Sequence, residues 1–442
     1  MNIEVIRIAL GLVLAIFFIL ISGQRFKWHP FFSLIAACII FGTIADISVN
    51  AIFTSMQTGF GSLLQQIGLV VAVGAVLGTV LEKTGAMESL GMAVARLFKR
   101  KEAVAMMLLG LLVGIPVFAD SGFIVLSRLV PTIAQAGNTS QGVLALSLST
   151  GLLTSHTLVP PTPGPLTAAV NLGLGDNLGL VILTGIIFCF PVAIVAAIAS
   201  KLLGKKVVAE KPEPIVLHSK VSVWKSLLPL LVPVLLITIG SFSKILDFPS
   251  SLNNLLQILG LPIVALLIGL ALAILLVDFK KNKTWPDWIA ESLKDAGIIL
   301  LITGAGGSFG AVIKAANLEP LMQDYAAQGS VNESGILFLA FAMAAMLKTA
   351  QGSTTSAMII TSSIMGPIAI SLGITSIYKL LLILMSIGGG GMIVSHANDS
   401  YFWVISKFGG IHHTSLLKSY TLITLLQGIT VFVMAVIAMQ WA

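Results

Sequence analysis

Two serine-histidine pairs, Ser155-His156 and Ser395-His396, lie 240 positions apart, each inside an apolar run that breaks into glycine, proline, asparagine or aspartate. The breaks read GLLTSHTLVPPTPGP and GGGGMIVSHANDS. Histidine titrates near neutrality and can relay protons, while serine, threonine and asparagine offer small donors and acceptors. Two further ionisable groups share this apolar setting: Asp120, within PVFADSG, and Lys348, just ahead of QGSTTS. A charge at membrane depth is costly and reads by default as functional. Polar, helix-breaking sequence is tolerated there only where it lines a cavity or is buried in protein, and its recurrence at matching places in two halves points to a transporter binding site. The chemistry expected of these residues is therefore non-covalent: binding a polar solute and moving protons.

The elements that must position them are membrane helices. Hydrophobic residues make up 57% of the 442 and charged residues 10%, with a mean hydropathy of +1.02, which excludes a water-soluble fold. Apolar runs long enough to cross about 30 Å of hydrocarbon recur along the whole chain. They read as spans near 3–22, 30–48 and 63–81, a divided stretch 103–135, a broken span 141–170, and a span 178–200. A second series repeats that order at 222–243, 256–278, 296–313, 335–371, 376–404 and 419–441. The divided stretches carry Pro116 to Gly122 and Gln351 to Thr355 near their middles, which suggests re-entrant hairpins. The expected fold is an all-α polytopic membrane protein of two repeats, each with five crossings plus one hairpin, and helices broken at the midplane. An odd number of crossings inverts the second repeat. The repeats are expected at 1–205 and 222–442, joined by a polar cytoplasmic linker at 206–221.

Charge gives an independent reading, because cytoplasmic loops collect Lys and Arg. With both termini outside, the inner loops hold 19 of the 25 basic residues, so the formal charge of +7 reports topology and not nucleic-acid binding. The first apolar stretch carries Glu4 and Arg7 and is expected to be retained as a helix. Cys38 and Cys189 sit singly in apolar runs and suggest neither a disulfide nor a metal site. A faint internal echo links KTGAMESL at 83–90 with KAANLEPL at 314–321, each following a Gly-Ala-Val triplet.

The stretches GFGSLLQQIGLVVAVGAVLGTVLEKTG, GIPVFADSGF, LVPPTPGPLTAA, KTAQGSTTSAM and SHANDSYFW resemble the successive signature segments of the gluconate permease family and span most of the chain in order. The resemblance implies a multi-pass protein of the bacterial inner membrane, a homodimer, that couples entry of gluconate or a related short hydroxylated carboxylate to protons. Its implied partners are that carboxylate, protons and the lipid bilayer, with no cofactor, no metal and no enzymatic activity. Three positions depart from the family's pattern: Ala119 where an aromatic is common, Thr162 where a His is common, and Lys348 where an Arg is common. Each could shift preference within the family.

A sugar acid needs positive potential plus many small hydrogen-bonding groups. Candidate substrate-binding residues are Asp120 and Ser121 at the first tip; Ser155, His156, Thr162 and Gly164 at the first break; Lys348, Gln351, Gly352, Ser353 and Thr354 at the second tip; and Ser395, His396, Asn398, Asp399 and Ser400 at the second break. Proton coupling falls to Asp120, His156, His396 or Asp399. Each has a blander reading: Asp120 and Asp399 as helix caps, the histidines as partners of broken backbone, Lys348 snorkelling to an interface, and the prolines shaping the break. Other functions compete with this one. A sodium-coupled carboxylate or D-serine transporter would carry the same features, and a passive channel would lack uphill uptake. A membrane-embedded aspartyl protease would use Gly173-Leu174-Gly175-Asp176, but that string precedes a span instead of lying within one. The glycine run GAGGSFG at 304–310 reads as close helix packing, and His412-His413 is a weak metal signal.

Overall fold

A backbone crossing hydrocarbon has no water to bond to, so each span must satisfy its own N–H and C=O groups by becoming helical. The computed structural model describes residues 3–98, 101–205, 207, 221–243, 249–280, 284–316, 333–397 and 399–441, and in it helix follows helix. The first half runs α1 (Ile3–Gln24), α2 (Pro30–Ile44), α3 (Val49–Lys83), α4 (Ala86–Leu97), α5 (Glu102–Val113), α6 (Ala119–Leu126), α7 (Leu129–Gly137), α8 (Gln141–Leu158), α9 (Pro163–Asn171) and α10 (Leu178–Gly204). The second runs α11 (Val223–Ser243), α12 (Ser250–Leu259), α13 (Pro262–Ile274), α14 (Trp285–Ala315), α15 (Glu333–Gln351), α16 (Thr354–Ser371), α17 (Ile377–Met392), α18 (Ser400–Phe408) and α19 (His413–Met439). Among the described residues nine helices are long and apolar enough to cross a membrane.

Several boundaries differ from the apolar runs. The expected span at 63–81 is the C-terminal part of the 35-residue α3; Thr54, Ser55, Gln57 and Thr58 lower hydropathy without breaking a helix. The run 256–278 divides into α12 and α13, bent by 67°, because Pro262 at the start of α13 holds Leu261 extended at φ −59° and ψ 127°. The return of the first divided stretch is itself interrupted between α6 and α7. There the Ser127 hydroxyl donates to the Ile124 carbonyl at 3.0 Å, and Pro131 has no N–H to give to Ser127. The linker at 206–221, apart from Val207 and Val221, lies outside the described residues, as do residues 317–321 of the internal echo.

Burial sorts these helices. From Gly142 to Leu158 every residue of α8 is buried, and α17 is buried from Leu380 to Met392. By contrast α10 exposes Phe190, Ile194, Ile198 and Leu202, 56–65% accessible and spaced by four along one face, the surface a helix shows to lipid. The centre holds the elements that carry the breaks. In each half the helix ahead of the divided stretch's turn packs on the helix ahead of the break, α5 on α8 and α15 on α17. A Cβ on Gly151 of α8 would stand 2.4 Å from the Met107 carbonyl of α5, and one on Gly390 of α17 would stand 2.2 Å from the Phe341 carbonyl of α15. Backbones this close leave room only for glycine. The halves also interlock, since α9 packs on α16 while α18 packs on α6. The glycine run at 304–310 lies within α14, where Gly304 and Gly307 face α3 and Gly306 and Gly310 face α16.

Candidate functional site

Four chain segments interrupt the buried helices. The first turn, Gly114–Phe118, joins α5 to α6 and places Asp120 in the first turn of α6. The first break, Val159–Thr162, separates α8 from α9, and Pro163 and Pro165 restart the helix where their missing N–H groups cost nothing. The second turn is Gly352 and Ser353, between α15 and α16. Gly352 takes φ +78°, which a side chain would strain, and the Ser353 hydroxyl caps α16 by accepting the Ser356 N–H at 3.2 Å. The second break runs from Ile393 to Asp399, whose carboxylate caps α18 by accepting the Tyr401 N–H at 3.0 Å.

These segments meet. Lys348, at the end of α15, is 1% exposed and donates to the Asp399 carboxylate at 2.6 Å and to the Gly352 carbonyl at 2.8 Å. Asp399, 4% exposed, also receives the Ser395 hydroxyl and the Tyr401 N–H. One ion pair thus ties the second turn to the second break in the protein interior. Asp120 lies close enough to both Lys348 and Asp399 for their charges to act on it, which brings in the first turn. The His156 ring, near the end of α8, lies 5.9 Å from that of Phe118, so the approach to the first break touches the first turn. Gly164 of α9 faces the start of α16: a Cβ there would stand 3.1 Å from Met358 Sδ and 3.6 Å from Thr355 Cα.

The remaining candidates divide. Ser155 and Thr162 turn their hydroxyls onto backbone: Ser155 to the Gly110 and Gly151 carbonyls at 3.5 and 3.4 Å, Thr162 to those of His156 and Val159 at 2.8 and 2.9 Å. They stabilise the break's shape. His396 is half-buried, its carbonyl accepting the Asp399 N–H at 2.9 Å. Ser121, Gln351 and Thr354 are half-buried and Ser400 is exposed. Asn398 lies outside the described residues. Among the described residues, the buried polar atoms that find no partner include Asp120 Oδ1, His156 Nδ1 and both terminal atoms of Gln351. Buried polar atoms are nearly always bonded, so these four atoms are exceptions within the interior.

Residue chemistry alone did not single out Tyr401 or Gln427. The Tyr401 hydroxyl reaches across to the Ser149 carbonyl at 3.0 Å, and Gln427 of α19 donates to the Thr150 carbonyl at 3.1 Å and to the Thr154 hydroxyl at 2.6 Å. Both tie second-half elements onto α8. Gln427 had a usable signal, being an amide in the middle of an apolar span. The protease string sits at a turn, with Asp176 exposed between α9 and α10. His412 meets Thr414 at 2.8 Å and stacks on His413.

The GntP family permease profile matches residues 4–440. The chain is a GntP family permease. It is 32% identical over 413 residues to a gluconate permease of Pseudomonas aeruginosa, covering 90% of each chain. It is also 28% identical over 434 residues to the D-serine transporter DsdX of Escherichia coli, covering 95% of each. In fold, this permease is similar to the crystal structure of the Alcanivorax borkumensis YdaH transporter, with a TM-score of 0.64 at 16% identity over 88% of this chain and 87% of that one. It is therefore a multi-pass membrane transporter of small molecules and not an enzyme.

Proposed function

We propose that this permease takes up gluconate, or a related short hydroxylated carboxylate, together with a proton across the bacterial inner membrane. The observation that carries the reading is the buried Lys348–Asp399 ion pair with Asp120 beside it. With both carboxylates ionised the trio carries one net negative charge. An entering carboxylate alone would double it, at a cost of about 4 kcal/mol for two like charges 4 Å apart near an effective dielectric of 20. A proton entering with the substrate keeps the site's charge the same empty and loaded. It also removes the electrical penalty of importing an anion, about 2.3 kcal/mol per 100 mV.

In this reading the substrate carboxylate takes the Lys348 ammonium and the free N–H groups at the start of α16, where the helix dipole favours an anion. Asp120 carries the proton, while His156, Gln351 and the second break hold substrate hydroxyls. The reciprocal packing of α9 on α16 and α18 on α6 supports two inverted repeats, each with a re-entrant hairpin, and the interlocked elements move together against the outer helices. Both termini face outside, and the working form is a homodimer. Proteoliposomes holding a pH gradient test the coupling, because one proton per carboxylate leaves no net charge for a membrane potential to act on. Acid outside should accelerate gluconate uptake, an uncoupler should abolish it, and sodium should have no effect. Sodium-dependent, uncoupler-resistant uptake would overturn the proposal.

A further inference from the structure

A second cleft, of about 1300 Å³, opens between α4, α5, α7, α8 and α10, away from the residues described above. It exceeds the roughly 300–1,000 Å³ usual for a small-molecule site. Arg96, Lys101, Lys201 and Lys205 line it against a single acid, Glu102. None of these four cations takes part in the ion pairs found among the described residues. Apolar side chains line it as well, with Ile133 and Val143 buried and Ile198 56% exposed. Ile198 also belongs to the outward stripe on α10 that includes Phe190, Ile194 and Leu202, so the cleft runs without a break into the lipid-facing surface. Lys201 lies in the last turn of that helix and Lys205 directly follows it, at the end of the stripe.

Four exposed cations beside apolar side chains that continue into the lipid-facing stripe match an amphiphile with an anionic head. A soluble sugar acid would gain nothing from the apolar stripe. We propose that this cleft holds an anionic phospholipid, its phosphate among Arg96, Lys101, Lys201 and Lys205 and its acyl chains along the exposed face of α10. Juxtamembrane cations attract anionic lipid in this way, and basic clefts between helices bind such head groups.

Native mass spectrometry of the full-length protein, released from nanodiscs of equal phosphatidylglycerol and phosphatidylcholine, tests it. The wild type should retain phosphatidylglycerol over phosphatidylcholine by at least about tenfold. The triple variant Arg96→Gln, Lys201→Gln, Lys205→Gln should lose that preference, while Lys225→Gln, Lys280→Gln, Lys294→Gln, which removes equal charge elsewhere, should keep it. Equal retention by wild type and the first variant overturns the proposal, as does equal loss in both variants, which would indicate only diffuse attraction. Should the first variant fail to fold, glycerol 3-phosphate added to the wild type decides: the head group without chains should not displace the lipid, and displacement at millimolar concentration would refute the acyl contact. Displacement by gluconate instead would assign the cleft to the solute path and overturn the lipid assignment.

Discussion

Replacing Lys348 by methionine retains most of the side chain's apolar length and deletes the ammonium that bonds to Asp399 at 2.6 Å and to the Gly352 carbonyl at 2.8 Å. Asp399, 4% exposed, would then keep, among the described residues, the Ser395 hydroxyl and the Tyr401 N–H as partners. Removing one member of a buried ion pair costs about 3–5 kcal/mol, and the two surviving hydrogen bonds place the expected loss at about 3 kcal/mol. The double variant Lys348→Met, Asp399→Asn removes both charges and leaves an amide oxygen to cap Tyr401. It should lose only about 1 kcal/mol, because no buried charge is orphaned. The cycle therefore predicts a coupling of about 2 kcal/mol or more, read from unfolding in mixed micelles. Neither variant should transport gluconate. A single variant as stable as the wild type, or a double variant whose loss equals the sum of the two single losses, would refute the reasoning.

Asp120→Asn should abolish uptake driven by a pH gradient while exchange of internal for external gluconate continues, as measured by counterflow. Loss of both would assign Asp120 to binding alone. Ser353→Ala deletes the cap of α16 and should cost about 1 kcal/mol of stability while raising KM for gluconate; an unchanged KM would remove the start of α16 from the site. Gly59→Ala should lower stability more than Gly61→Ala, since a Cβ on Gly59 would stand 2.3 Å from the Gly307 carbonyl of α14 whereas one on Gly61 meets nothing within 4 Å; equal thermal midpoints would contradict the α3–α14 crossing. Gln427→Leu should cost only about 0.6–1.7 kcal/mol, the range for polar contacts between membrane helices, and a loss of several kcal/mol would show that its two bonds to α8 are central to the fold.

Class and membrane character were legible because hydropathy is additive: an apolar run of span length has few other structures open to it. The matching breaks were legible too, since PTPGP and HANDS cannot continue a helix in lipid. Pairing was not. Lys348 and Asp399 lie 51 positions apart on separate segments, and nothing local to either states a distance, so Lys348 read equally as a ligand for substrate or a snorkelling end. Ser155 and Thr162 looked like ligands by composition, yet a break frees carbonyls that compete for nearby hydroxyls, and both bond there. The N-terminal half of α3 was hidden by its polar residues, because hydropathy reports lipid contact while helix formation tolerates Gln and Thr. Tyr401 escaped notice because aromatic residues suit any apolar helix; only its reach to Ser149 across 252 positions gives it a role.

The central claim is that an incoming carboxylate and one proton enter this buried site as a unit. Proton uptake by the purified permease in weakly buffered solution at neutral pH, recorded while gluconate is titrated in, tests it most directly. The account predicts about one proton taken up per gluconate bound and none in Asp120→Asn. Gluconate binding with no proton uptake by the wild-type protein would contradict it.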